Sequence, residues 1–186
     1  MTQTSNVRVP EILTEHQDWP LSAAQSLWEN VRQVHALEHA TIWVLSEQTQ
    51  IHLGGASTDR GFFVHGQVDS GDLLRAAHQA LRRLNQGEER LAVHPRCGTN
   101  LSVGMVLTAA LSLGVSMFLP RRPLPQLLGA AAAAYTSAQV AGELGAMAQR
   151  HLTTSMPRNL EIVGVKTLTD WLGRHSHFVE VSYISR

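Results

Sequence analysis

Polar and apolar positions alternate along the chain with several different periods. From residue 22 to about 47, Leu27, Val31, Val34, Leu37, Ile42 and Leu45 recur at roughly helical spacing, and Ser22 can cap the start, which predicts a long amphipathic helix. Residues 51–68 change character. Ile51-His52-Leu53 and Phe62-Phe63-Val64 are short β-like runs, with Gly54, Gly55, Asp59, Arg60 and Gly61 between them, and predict a hairpin. Ser70 then caps a second helix from Gly71 to about Gln86, with Leu73, Leu74, Ala77, Leu81 and Leu84 inward and Gly87 closing it. Residues 90–93 read as a short strand leading into the turn His94-Pro95-Arg96-Cys97-Gly98-Thr99-Asn100, where Thr99 or Asn100 can cap the next helix.

That next segment has no amphipathic period. Residues 101–119 carry no charge, and a helix of that length spans roughly the 30 Å of a bilayer core. Pro120-Arg121-Arg122-Pro123 breaks the run, and a second apolar segment, 124–148, comes after it with an alanine tract and one carboxylate, Glu143. Gly104, Ala109, Gly129, Ala133, Gly142 and Gly145 let two such helices approach closely, so a tight antiparallel transmembrane hairpin is expected. A hairpin buried in a soluble core, or in a soluble homo-oligomer, is the alternative. Arg82, Arg83, Arg90, Arg96, Arg150, Arg158 and Lys166 lie near the outer ends, against Arg121 and Arg122 at the tip. That bias predicts a cell-membrane protein whose globular part is cytoplasmic. The tail reads as strand (160–165), short helix around Trp171, and strand (178–184) that completes the sheet.

These elements predict an α+β fold. The expected organisation is a flexible N-terminal arm over 1–20, an α+β metal-site region over 21–100, the apolar, transmembrane hairpin over 101–150, and C-terminal strands completing the sheet over 151–186. Length and charge agree: 186 residues suit one domain with an appendage, and 15 basic against 15 acidic residues give no excess for binding nucleic acid. Cys97 is the single cysteine, which excludes an intramolecular disulfide. The polar N-terminus lacks a basic-then-apolar leader pattern.

The chemistry concentrates at His35-Ala36-Leu37-Glu38-His39. Residues four apart share a helix face, so both imidazoles point one way and Glu38 stands at the edge of that face. Two such histidines with a carboxylate suit a metal site in which Glu38 is the general base. The later turn adds His94 and Cys97. A thiolate near a helix N-terminus is favoured and is a soft ligand for zinc or another transition metal. His35, His39 and Cys97 leave a fourth position open, as in catalytic sites; if His94 also binds, the site is closed and structural. Cys97 paired with His94 or His39 as a nucleophile is a further reading. Glu143 is a distant candidate ligand, His65 and His78 candidate neighbours of the site, and His175 and His177 loop histidines.

The segment H-x-x-E-H resembles the inverzincin metallopeptidases, which implies His35 and His39 as ligands and Glu38 as base. With His94-Pro95-Arg96-Cys97-Gly98-Thr99-Asn100 it also resembles the YqhQ-like family of bacterial membrane proteins, described as predicted metal-dependent enzymes. It is closer still to a related family common in cyanobacteria. That resemblance, over about residues 30–155, implies a membrane-associated metal site at His35, Glu38, His39, His94 and Cys97. The expected function is a membrane-associated zinc-dependent hydrolase. Its expected partners are membrane lipid and an amphipathic small molecule, pigment or peptide as substrate. The alternative is a non-catalytic membrane accessory protein with a structural metal.

Overall fold

The computed structural model describes residues 19–48, 53–169 and 175–184. Helix α1 is Trp19–Gln48, and strands β1 (Gly54–Ser57) and β2 (Gly61–His65) form the hairpin next to it in the chain. Helix α2 is Ser70–Asn85, succeeded by a short 3-10 turn, Glu89–Ala92. The apolar helices are α3 (Gly98–Phe118) and α4 (Pro123–Ala148); α4 runs into a π-helical turn, Gln149–Thr153. Strands β3 (Leu160–Thr169) and β4 (His175–Tyr183) close the chain. The expected α+β class is what the fold shows.

The sheet is antiparallel throughout, in the order β1-β2-β4-β3. Phe62 and Val64 of β2, Val179 and Val181 of β4, and Leu160 and Ile162 of β3 turn one face inward. Side chains alternate along strands, so one register buries this whole set. Val34, Leu37, Val44 and Leu45 of α1 and Leu73, Ala77 and Leu84 of α2 share the same core.

Several local expectations are corrected. Asp69, not Ser70, caps α2: its carboxylate accepts from the N–H groups of Gly71 (2.8 Å) and Asp72 (3.1 Å). A charge at the positive helix end outcompetes the neutral hydroxyl. Residues 90–93 are not a strand. Leu91 and Ala92 are both buried, which consecutive strand positions cannot achieve on one face, and the turn closes through Leu91 N–H to Glu88 O (3.1 Å). β1 lies on Gly54-Gly55-Ala56-Ser57, where connecting residues are expected from the sequence, whereas Ile51 and His52 lie outside the described residues. β3 continues to Thr169 and β4 begins at His175, so His175 and His177 are strand residues, not loop histidines. They pair with Thr169 and Thr167, and His177 is buried opposite Val64. The arm at 1–20, apart from its last two residues, and the helix around Trp171 lie outside the described residues.

The hairpin packs on itself. Gly129, Ala133, Ser137 and Gly145 form the buried stripe of α4, and a Cβ at Gly129 would come within 2.9 Å of Val115 Cγ1. No residue of α3 is buried. Among the described residues α3 is the one helix long and apolar enough to cross a membrane. Helix α4, interrupted by glycines and by Gln126, Gln139 and Glu143, falls short of that, so the expectation of two such segments narrows to one.

Candidate metal centre

Helix α1 places the imidazoles of His35 and His39 one turn apart, with ring centroids 4.3 Å from each other. Each ring is held from behind by a backbone carbonyl. His35 Nδ1–H donates to Thr153 O at 2.9 Å, and His39 Nδ1–H donates to Ala92 O at 2.7 Å. A carbonyl only accepts, so each Nδ1 carries the proton and each Nε2 is left to face the cleft. This arrangement sets tautomer and ring direction in metal-binding histidines.

Cys97 is the N-cap of α3, a role expected of Thr99 or Asn100. Its Sγ accepts from Thr99 N–H at 3.4 Å, donates to Thr99 Oγ1 at 3.3 Å, and lies 3.4 Å from His35 Nε2. Burial pushes the thiol up, but hydrogen bonds from His35, His39 and Thr99 outweigh it and hold it at about 5. His35 moves the other way. Burial lowers it, yet the Cys97 contact, the Thr153 carbonyl and the nearby negative charges leave it above the ordinary imidazole value. The donor atoms of His35, His39 and Cys97 lie within 4.8 Å of one another. Bond lengths of about 2.0–2.3 Å in a tetrahedral zinc site put donors about 3.3–3.8 Å apart, so this spacing is of the right scale.

Glu38 is 5% exposed and accepts a hydrogen bond from Ser57 Oγ. Gly55 packs directly on its carboxylate: a Cβ there would lie 2.7 Å from Glu38 Cδ and closer still to an oxygen. The glycine in β1 is thus a space requirement of Glu38. His94 stands beside the three donors rather than among them. Its Nδ1 accepts from Arg96 N–H at 3.2 Å, and its ring lies 5.8 Å from that of His39 and edge-on to Trp43. Burial first, then the charges of His39 and Arg96, hold it down at about 4.

The turn is fastened to the end of α4 by Gln149, which is fully buried. Its Oε1 accepts from His94 N–H (2.8 Å) and its Nε2 donates to Asn100 Oδ1 (2.7 Å), while Asn100 Nδ2 donates to Pro95 O (2.8 Å). Gly145 makes room for this, since a Cβ there would lie 2.8 Å from Asn100 Cγ. Arg32, one turn before His35, donates to His151 O (3.3 Å) and Thr154 O (3.0 Å) and so ties α1 to the π-helical turn that presents Thr153. Such turns are frequent at functional sites.

His35, Glu38, His39, His94 and Cys97 all line one cleft of about 390 Å³. Trp28, Val31 and Ile42, on the same helix as the histidines, and Leu53 give the cleft an apolar part. Glu143 is exposed on α4 and is not among the donors, and the exposed His65 and His78 do not line the cleft. Sequence reading missed Ser57, Gly55, Thr153 and Gln149. The Gly54-Gly55 pair within a strand was the one visible signal, because an interior strand glycine marks close approach.

Residues 30–165 match the model of a family described as Domain of unknown function (DUF6391), a span that includes every donor and both hairpin helices. An uncharacterized protein of Picosynechococcus sp. (strain PCC 7002) is 45% identical over 163 residues, covering 82% of this chain and 80% of the relative. No solved structure matches the chain. This agrees with the cyanobacterial-type resemblance carried by the two motifs, and the chain belongs to the DUF6391 family.

Proposed function

We propose that the chain is a metal-dependent hydrolase, associated with the cell membrane, that acts on an amphipathic or membrane-embedded substrate. The observation that carries this reading is the pair of carbonyl-anchored histidines presenting Nε2 to the Cys97 thiol, with Glu38 held beside them by Ser57. Two imidazoles and a thiolate suit zinc, and the His35–Cys97 pair holds a proton that a bound cation would displace. His94, engaged with Arg96 N–H, leaves the fourth position open. An ion held by His35, His39 and Cys97 would supply Lewis-acid polarisation and lower the pKa of a water towards about 7. Glu38 takes the proton of the attacking water and returns it to the leaving group. The apolar wall of the cleft and the uncovered α3 support an amphipathic substrate, and the arginine bias supports a cytoplasmic site. The YqhQ-like and inverzincin resemblances point the same way.

A purely structural metal is favoured by one observation: Cys97 also caps α3, so an ion here would tie α1 to the hairpin. Elemental analysis of detergent-purified protein separates the outcomes. About one equivalent of zinc or another transition metal is expected in the wild type and none in a His35→Ala/His39→Ala double variant. Glu38→Gln keeps the metal and lowers turnover of ester or amide amphiphiles by about 10²–10⁴-fold. Metal retained by the double variant sinks both readings; unchanged turnover in Glu38→Gln removes Glu38 as the base.

A further inference from the structure

Trp28 plays two parts that are seldom combined. It lines the same cleft as His35, His39 and Cys97, two turns before His35 on α1, yet it is 54% exposed, and its neighbour Leu27 is 50% exposed. Both sit in the first half of α1, outside the packed core. Gly98 and Thr99, the first turn of α3, line the same cleft. The apolar mouth of the cleft therefore adjoins the start of a 21-residue helix with no buried residue, whose next outward side chains include Leu101 and Met105 at 68% and 64% exposed. A large apolar surface continuous with an uncovered apolar helix marks contact with a lipid phase or a partner. The continuity with α3 selects lipid. Tryptophan favours the headgroup level of a bilayer, where its ring is apolar and its N–H stays wet.

We infer that Leu27 and Trp28 are an interfacial anchor that seats the mouth of the cleft on the bilayer surface, so that the site draws its substrate sideways from the lipid rather than from water. This rests on the proposed membrane association and deepens it. The substrate class becomes a bilayer-resident amphiphile whose chain lies along Trp28, Val31, Ile42 and Leu53 while its polar linkage reaches the donors. Arg96, the one lysine or arginine among the described residues that line the cleft, is placed for an anionic headgroup.

The test uses the full chain reconstituted in phosphatidylcholine vesicles that contain lipids brominated either near the headgroup or near the chain ends. The emission of Trp28 is taken as the difference between wild type and Trp28→Phe, and equal metal content in the two proteins controls for folding. The expected result is quenching of that difference by shallow bromines, about twofold stronger than by deep ones. A protein that sediments with the vesicles but whose Trp28 emission is unquenched overturns the anchor and leaves the membrane association standing. A protein that does not sediment with them overturns both.

Discussion

Leucine, valine and phenylalanine stand in two different settings in this chain. In the body, Leu37 and Phe62 are 0% exposed, buried between α1, α2 and the sheet. In the hairpin, Val106 and Phe118 are 68% and 90% exposed, and the buried residues of α4 are all small. The body hides its apolar surface from water by packing. The hairpin leaves that surface to its surroundings and spends its contacts on backbone proximity. Stability in the body is therefore a matter of cavities, and in the hairpin a matter of which phase surrounds it.

This contrast is sharpest for truncation. Leu37→Ala should cost about 2–5 kcal/mol, and Val106→Ala no more than about 0.5 kcal/mol, in urea unfolding of detergent-solubilised protein followed by circular dichroism. Equal costs would mean that the hairpin is a buried element after all. Next in size, Val106→Arg should weaken membrane insertion by about 2.5–3.5 kcal/mol, read by co-sedimentation with vesicles, while leaving metal content unchanged. Undiminished sedimentation would break the assignment of α3 to lipid. Gly55→Ala probes the body where it meets the site. The added methyl collides with the Glu38 carboxylate, so a cost of about 1–3 kcal/mol is expected, with turnover reduced and metal retained. A neutral Gly55→Ala would show that Glu38 is free to move away and is not held in place by β1.

The same division explains how much is legible in the sequence. α1, α2 and the apolar helices are legible because each repeats one period over many residues. His35, Glu38 and His39 are legible because a helix alone puts residues four apart on one face. The failures are short or non-local. β1 hides in two glycines whose purpose is space for a side chain on α1. The turn at 89–92 buries neighbouring residues that look like alternation. His177 joins the sheet only because β4 starts early enough to pair with Thr167, whose Oγ1 lies 3.0 Å from His177 Nδ1.

Local pattern is thus enough to establish an α+β body, an uncharged helix of membrane length and a histidine pair facing one way. Packing alone brings Cys97 to His35 across 62 positions of sequence, sets His94 to one side, and chooses Thr153 O and Ala92 O as the acceptors that turn both Nε2 atoms towards the cleft. The reason is physical. Helical periodicity is a property of neighbouring residues, whereas the direction of an imidazole depends on which distant carbonyl reaches its other nitrogen.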